Sequence, residues 1–366
     1  MNRVGILTRH CYPNYGSLLQ AIALQQALAR AGADVHVVDY VPPSDGRFGL
    51  ARSSLRESRM RESWIGSAAY LAIQGPNFAV MASRFRRFQK ANLRLTHMVG
   101  DGADLPAVAR DLDRIIVGSD QVWNVVHGTL DETYFLSQLD DSRKKYSYAG
   151  SFGSSAPVDD IAVKRMLADF RAVSVREPSA AEHLKALGLD VRRDVDPVLL
   201  HGREFWYEFS ARVRVAARSP YLLVYQLHNT PHFDARVEEL SRRSGLPVRR
   251  VNVDIKRLKG FPYRSHYLAS PQEFVALFRD AAAVITDSFH GLSFSLIFGR
   301  TVYPVLPNKG AARLTDLLDA VDLRHLAVSA DQMDLPTSGE YEAQDVARCL
   351  STLAAESWRY IEGLAT

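Results

Sequence analysis

The clearest chemical signal in this sequence lies where a buried strand gives way to a helix in the C-terminal half. The strand ends at Thr286, the polar turn Asp287–Ser288 follows, and His290 and Gly291 open the helix. Imidazole titrates near neutral pH, and the backbone N–H groups of a helix N-terminus favour anions. A lone histidine is more often structural than catalytic, but the position of His290 at this junction favours a functional role.

Hydroxyl, carboxylate and aromatic side chains follow the strand Arg114–Val117. Ser119, Asp120 and Trp123 come directly after it. Such mixtures bind sugars, because an indole ring stacks on the sugar and polar groups pair with its hydroxyls. The alternative is that Asp120 caps a turn in front of a buried tryptophan. Ser151 follows the next strand, in a segment that either binds a ligand or forms a simple turn.

An arginine ends the apolar strand Val173–Val175, just before the proline that starts a helix. Arg176 therefore presents a permanently charged fork, which suits a phosphate or carboxylate. The alternative is a structural ion pair with Glu177 or another acid.

The loop after the first strand holds Asn14, Tyr15 and Gly16 and opens directly into a helix. Asn14 is a good capping residue, and Gly16 lets backbone approach a ligand. A capped helix start and a ligand-binding loop fit this segment equally well. The loop lacks the G-x-G-x-x-G pattern, which argues against a dinucleotide site.

Two further segments in the C-terminal half contain polar residues that are candidates for binding a ligand. His228 and His232 have a spacing seen at metal sites, but no carboxylate or cysteine stands near them in sequence. Lys309 and Arg313 lie at a loop-to-helix junction, which fits either phosphate binding or a solvated helix start.

The elements that must position these side chains alternate between strand and helix. A stretch near residue 200 without a strand divides the chain into two such halves. This pattern predicts an α/β protein with two parallel-sheet domains, 1–200 and 201–366. In such folds ligands bind at the carboxyl ends of strands, where the candidates above lie.

Composition narrows the class of protein. The chain has 366 residues, of which 47% are hydrophobic and 23% are charged, which is ordinary for globular domains. The two cysteines, Cys11 and Cys349, cannot build a disulfide framework or a four-ligand zinc site, and this fits a reducing compartment. No apolar run approaches membrane-spanning length, so we expect a cytoplasmic protein.

The net charge of +4 conceals a local excess of positive charge. Residues 46–99 hold ten Lys or Arg against two acids, so this segment is +8 and the rest of the chain is −4. Arg84–Lys90 interleaves cations with aromatic residues, a composition that also admits nucleic acid. The alternative is a solvated basic face.

Taken together, these segments resemble the polysaccharide pyruvyl transferase family, from about residue 3 to residue 320. The residues that carry the likeness are Asn14–Ala21, Gly118–Asn124, Ser147–Gly153, Ser174–Glu177, Asp196–Pro197 and Thr286–Gly291.

The resemblance implies two Rossmann-like domains facing across a cleft, similar to GT-B glycosyltransferases, with the acceptor on the N-terminal side and the donor on the C-terminal side. It implies no metal or other cofactor. The implied reaction moves pyruvate from phosphoenolpyruvate to a diol of a cell-surface glycan or its lipid-linked precursor, forming a cyclic ketal and releasing phosphate.

The resemblance also implies roles for the candidate residues. His290 would be the general acid and base, and Arg176 the fixed cation for phosphate and carboxylate. The substrate-binding residues would be Asn14, Tyr15, Gly16, Ser119, Asp120, Trp123, Ser151, His228, Ser288, Phe289, Gly291, Lys309 and Arg313.

One position departs from the family pattern. Family members with characterised phosphoenolpyruvate sites tend to carry an arginine where this chain has Ser288, so Lys309, Arg313 or Arg264 would supply that cation, or the donor differs. Two alternatives therefore stay open: a glycosyltransferase that uses a nucleotide sugar, and a non-catalytic glycan-binding protein.

With this resemblance, the basic segment 46–99 is expected to be a helical excursion from the N-terminal domain that acts as a mobile basic lid. It would meet an anionic acceptor, or the membrane surface carrying that acceptor at its inner face, and nucleic acid is not expected.

Overall fold

Parallel strands and helices alternate along the whole chain. The structure is a computed structural model, and it describes residues 1–42, 51, 54–55, 59–125, 129–153, 159–215, 219–252, 264–308 and 310–366. The chain divides into two compact units: Met1–Pro197 with Trp358–Thr366 form unit 1, and Val198–Ser357 form unit 2.

Unit 1 is built on a parallel sheet with the strand order β3–β2–β1–β4–β5. A parallel pair, β6 and β7, continues beside it through bridges such as Gly150 to Val175. The strands are β1 (Arg3–Leu7), β2 (Asp34–Tyr40), β3 (Leu95–Val99), β4 (Arg114–Val117), β5 (Lys145–Ser147), β6 (Val173–Val175) and β7 (Val191–Arg193). The helices are α1 (Tyr15–Arg30), α2 (Trp64–Asn92), α3 (Leu105–Ala109), α4 (Asp160–Leu167) and α5 (Pro178–Ala186).

Local sequence explains why the first βαβ unit forms. β1 and β2 are short apolar runs whose side chains are buried on both faces, as parallel strands require. Asn14 caps α1 by accepting a hydrogen bond from the Gly16 N–H at 2.8 Å. Gly32 follows the helix with a φ of +99°, a left-handed conformation that glycine adopts without strain.

Unit 2 repeats the architecture with the strand order β10–β9–β8–β11–β12–β13, again all parallel. Its strands are β8 (Leu222–Tyr225), β9 (Val248–Asn252), β10 (Arg264–Tyr267), β11 (Ala283–Thr286), β12 (Thr301–Leu306) and β13 (Val328–Ser329). The remaining helices are α6 (Pro197–Leu200), α7 (Arg203–Ser210), α8 (Phe233–Ser244), α9 (Pro271–Asp280), α10 (Phe289–Ile297), α11 (Ala312–Ala320) and α12 (Ala343–Ala365).

The predicted α/β class with two parallel sheets is confirmed. The end of the chain differs from the predicted 201–366 domain, because Trp358–Thr366 belongs to unit 1. Specific contacts hold it there: Arg114 Nη1 donates to the carbonyl of Gly363 at 2.8 Å, and the Tyr360 hydroxyl donates to the carbonyl of Ser147 at 2.9 Å.

The basic segment 46–99 lies partly outside the described residues, since 46–50, 52–53 and 56–58 are not among them. Its described part forms the long helix α2 and then β3, which pairs with β2 in the sheet. The segment is therefore not wholly an excursion: its last five residues are a sheet strand that the sequence analysis missed.

Within the described parts of the chain, no helix combines the length and the apolar character needed to cross a bilayer.

Candidate active site

A polar network joins the strand ends of unit 1. The Ser17 hydroxyl at the start of α1 donates to Asp120 Oδ2, after β4. The Ser151 hydroxyl, after β5, donates to Glu177 Oε1 at 2.6 Å. Arg176, after β6, reaches the same Glu177 oxygen at 3.3 Å. The structure thus brings three of the predicted residues, Asp120, Ser151 and Arg176, to one edge of the sheet.

The guanidinium of Arg176 is buried and surrounded by carboxylates. Its Nη1 donates to Asp196 Oδ2 at 2.5 Å in addition to its contact with Glu177. Burial lowers the pKa of Arg176, but the charges of Glu177, Asp196 and Asp120 outweigh burial and raise it. The positive charge is therefore compensated within unit 1, as the ion-pair alternative predicted.

Trp123 does not have the role predicted from its sequence neighbours. Its ring is 1% exposed and packs against Phe135 and Phe152, with ring centroids 5.7 and 5.3 Å away. Its indole N–H donates to the carbonyl of Tyr134 at 2.9 Å. Because no face of the ring is open, we correct the sugar-stacking prediction: Trp123 is a core residue. A Cβ at Gly150 would clash with the ring, so Gly150 is required by this packing.

The other predicted acceptor residues of unit 1 are engaged within the fold. Tyr15 is fully buried against Phe85, with ring centroids 5.3 Å apart. The Ser119 hydroxyl is buried and donates to the carbonyl of Ala149 at 2.8 Å. Asn14 is half-buried and holds the Gly16 N–H as the α1 cap. The structure therefore shows the capped helix start that the sequence predicted as one alternative.

A second buried network, below the loop that follows β1, was not predicted. His10 Nε2 lies 3.3 Å from Asp39 Oδ1, and Arg86 of α2 donates from Nη1 to the same oxygen at 2.7 Å and from Nη2 to Oδ2. Burial raises the pKa of Asp39, but hydrogen bonds from His10 and Arg86 outweigh burial and lower it. The prediction that the basic segment is a mobile lid is therefore wrong for this part of α2, which Arg86 ties to the sheet.

In unit 2, Asp287 connects the loops that follow β8 and β11. Its carboxylate is fully buried and accepts hydrogen bonds from the Leu227 N–H at 2.6 Å, the His228 N–H at 3.0 Å and the Thr230 hydroxyl at 3.2 Å. His228 Nδ1 lies 3.6 Å from Asp287 Oδ2, while the His228 side chain is 38% exposed. The predicted His228 is thus an accessible imidazole on a rigid support.

The helix α10 begins at the carboxyl end of β11, as the sequence predicted. Ser288 caps it by accepting a hydrogen bond from the Gly291 N–H at 3.3 Å. His290 lies in the first turn with 7% of its surface exposed, and the ring of Phe289 meets it edge-on at 5.2 Å. Gly291 is needed because a Cβ there would clash with the Thr286 hydroxyl.

Of the two predicted cations near α11, Arg313 is half-buried in the first turn of that helix. Lys309 lies outside the described residues, as does the side chain of Arg264. Over the ranges that the structure describes, no three His, Cys, Asp or Glu side chains converge as metal ligands would.

A groove of about 470 Å³ runs beside the edge strand β3, with His36, His97, Asp104 and Asp111 in its lining. None of the predicted site residues is among its lining side chains in the described part of unit 1. This groove therefore does not coincide with the predicted site residues, and the loops at the strand ends remain the candidate site.

The sequence model of one enzyme family, polysaccharide pyruvyl transferase, matches residues 14–309, which include all the segments that carry the resemblance, from Asn14–Ala21 to Thr286–Gly291. The chain belongs to the polysaccharide pyruvyl transferase family. It is thus an enzyme of the class that transfers pyruvate to polysaccharide. No protein of curated function matches it in sequence.

Several solved structures are similar to this pyruvyl transferase at low sequence identity, and the first described here shows its fold. A proposed UDP-N-acetylglucosamine 2-epimerase from Listeria monocytogenes has a TM-score of 0.51 at 10% identity, over 99% of this chain and 90% of that one. The Methanocaldococcus jannaschii UDP-GlcNAc 2-epimerase has a TM-score of 0.48 at 10% identity, over 96% and 99%. The E. coli ADP-heptose LPS heptosyltransferase II has a TM-score of 0.40 at 13% identity, over 97% and 99%.

Sequence reasoning about this pyruvyl transferase assigned no role to three of the carboxylates that organise the units, Asp39, Asp196 and Asp287. The sequence contains a signal that could have pointed to Asp196, because this residue precedes a proline shortly after β7. Asp287 had one too, because a buried aspartate at a strand end needs donors from a neighbouring loop. No sequence signal indicates the pairing of Asp39 with Arg86, because the two residues are 47 positions apart.

Proposed function

We propose that this pyruvyl transferase uses phosphoenolpyruvate as donor and acts on a diol of a cell-surface glycan or its lipid-linked precursor. C3 of the enol takes up a proton and becomes a methyl group, and one sugar hydroxyl adds to C2. The C2–O bond to phosphate then breaks, phosphate leaves, and the second hydroxyl closes the ketal. Each hydroxyl loses one proton, so a single group that gives and takes protons serves the whole sequence.

The observation that supports this proposal most is the position of His290 in the first turn of α10, at the carboxyl end of β11, inside the family match. An imidazole ordinarily titrates near neutral pH, so it can protonate C3 and later accept a hydroxyl proton. The nearby N-terminus of α10 carries partial positive charge, which favours the phosphate and carboxylate of the donor.

The cation for the donor is proposed to come from unit 2. Ser288 stands where an arginine is expected in the family, and its hydroxyl caps α10 instead. Arg313, half-buried in the first turn of α11, has the guanidinium fork that suits phosphate. Arg176 is less suited than the sequence suggested, because Glu177 and Asp196 already compensate its charge.

The test combines ligand-induced stabilisation with turnover. The purified protein is heated alone and with phosphoenolpyruvate, inorganic phosphate, or a uridine or guanosine diphosphate sugar. A ligand that binds the folded state at 100 times its Kd stabilises it by about 2.7 kcal/mol. We expect stabilisation by phosphoenolpyruvate and phosphate release once a diol-bearing acceptor is added.

Two histidine variants make the test specific. His290→Gln should lose phosphate release by about 10²-fold to 10⁴-fold, whereas His325→Gln, a change at an exposed histidine of the same unit, should retain it. Turnover retained in His290→Gln would remove the acid-base assignment. Stabilisation by a nucleotide sugar alone would favour a glycosyltransferase, and acceptor binding without turnover of any donor would favour a glycan-binding protein.

A further inference from the structure

The long helix α2 has one face that is anchored to unit 1. Its buried residues are spaced four and seven positions apart and lie on one side of the helix: Tyr70, Gln74, Met81, Phe85 and Gln89. Phe85 packs on Tyr15, and the Gln89 side chain donates to the carbonyl of His10 at 2.7 Å. These contacts fix which face of α2 points away from the unit.

The opposite face exposes large apolar side chains. Ile73 is 67% exposed, Ile65 63% and Val80 48%, and Trp64, which is 80% exposed, flanks this face at the first residue of the helix. At 1.5 Å and 100° per residue, Ile65 and Val80 are about 22 Å apart along the helix and about 60° apart around its axis. Single exposed apolar residues are common, but a row of this length on one helix face indicates a surface that binds something.

The same helix is positively charged at its C-terminal end. Arg84, Arg87 and Lys90 are exposed there. From Ser63 to Gly100 the sequence contains five Lys or Arg and no Asp or Glu. Among these cations, Arg86 is paired with Asp39 and Arg94 with Asp34. We call Trp64, Ile65, Ile73, Val80, Arg84, Arg87 and Lys90 the α2 outer face.

We propose that the α2 outer face docks on a bilayer that contains anionic phospholipid. Helices that lie in a membrane interface combine Trp and aliphatic residues with Lys and Arg, and both contribute to binding. A symmetric dimer through the same face would bury these cations against a helix that has no Asp or Glu to neutralise them. The charge therefore favours lipid over a second copy of the chain.

Flotation with vesicles tests this directly and requires neither donor nor acceptor, so its outcome is independent of the proposed reaction. We expect the protein to float with vesicles of phosphatidylcholine and phosphatidylglycerol, weakly with phosphatidylcholine alone, and less as salt is raised. Trp64 supplies a second readout, because Trp123 and Trp206 are buried and Trp358 is half-buried. Its emission should shift to the blue on binding.

Matched variants separate the apolar and charged contributions. The triple variant Trp64→Ser, Ile65→Ser, Ile73→Ser should weaken binding about tenfold or more, whereas Ile161→Ser, a change at an 85% exposed isoleucine elsewhere in unit 1, should not.

Charge reversal provides the second pair. Arg87→Glu with Lys90→Glu should weaken binding about tenfold or more. Arg110→Glu with Lys185→Glu, which makes the same charge change at exposed positions of unit 1 outside the α2 outer face, should have a much smaller effect.

Three results would overturn the proposal. The first is that the wild-type protein does not float with anionic vesicles and Trp64 emission does not shift. The second is equal binding by a folded triple variant and the Ile161→Ser control. The third is a lipid-free dimer in sedimentation velocity that the triple variant abolishes, which would assign the face to self-association.

Discussion

One carboxylate oxygen of Asp287 lies 3.6 Å from Nδ1 of His228, although the two residues follow different strands of the unit 2 sheet. The same carboxylate accepts the backbone N–H groups of Leu227 and His228. A fully buried side chain therefore fixes the backbone of the loop after β8, from which His228 presents its imidazole to solvent. Asp287 is a positioning residue, because it holds the loop that carries His228.

Asp287→Asn should destabilise unit 2 and misplace His228. The amide has only one acceptor oxygen, so one of the two backbone N–H groups would face an NH2 group inside the protein. We expect the free energy of unfolding to fall by about 1–3 kcal/mol in urea titrations. Thr230→Val is the control, because it removes only the longest of the three hydrogen bonds and should cost less. Equal losses in both variants would contradict a special role for Asp287.

Arg86→Gln should destabilise unit 1, because it leaves the Asp39 carboxylate buried without its strongest partner. A broken buried ion pair costs about 3–5 kcal/mol, and we expect about 2–3 kcal/mol here because the Arg86 side chain is 31% exposed. Arg87→Gln, at the exposed next position, should change the unfolding free energy by less than about 0.5 kcal/mol. A similar effect of both substitutions would show that the ion pair contributes nothing.

The lowered pKa of Asp39 predicts how this stabilisation depends on pH. A carboxylate whose folded pKa is depressed stabilises the protein fully above its unfolded value of about 3.9, and the effect is lost as pH falls toward the folded pKa. The difference in unfolding free energy between wild type and Asp39→Asn should therefore be constant from pH 7 to about pH 5 and shrink below about pH 4. A difference that grows on acidification would contradict the predicted sign.

The alternation of elements could be predicted because parallel strands are buried on both faces. Runs such as Ile115–Val117 and Val284–Thr286 are short, apolar and followed by helices, and they became β4 and β11. Leu95–Val99 carries a His and an exposed Met at the sheet edge, so β3 lacks this signature and was missed. Edge strands pack on one side only, and their sequences are correspondingly less apolar.

The candidate site could be predicted only where a side chain acts near its own position in the sequence. His290 and Ser288 occupy the predicted strand-to-helix junction. Trp123 was misassigned because a ring beside Asp120 can turn either to solvent or to the core, and the aromatic partners that decide this come from other loops. Arg176 could be paired with its neighbour Glu177, but Asp196 arrives through the β6–β7 crossover.

The carboxylates around Arg176 predict that this residue holds unit 1 together. Arg176→Gln would leave Glu177 and Asp196 buried without their cation, and we expect unfolding to become easier by about 3–5 kcal/mol. In the double variant Arg176→Gln, Asp196→Asn, one excess charge is removed, so part of the lost stability should return. If Arg176→Gln leaves the stability unchanged but abolishes binding of phosphoenolpyruvate, the residue serves the donor instead.

Gly291 is predicted to be necessary for packing rather than for helix flexibility. A methyl group at this position would clash with the hydroxyl of Thr286, which is held in place by its hydrogen bond to the carbonyl of Tyr225 at 2.7 Å. Gly291→Ala should therefore destabilise unit 2 by about 1–3 kcal/mol, despite the better helix propensity of alanine. Gly363→Ala is the matched control: it lies in α12 with open space around it, and should be neutral or stabilising by up to about 1 kcal/mol. Thermal unfolding of both variants measures the difference, and a Gly291→Ala protein as stable as the control would show that Thr286 can move aside.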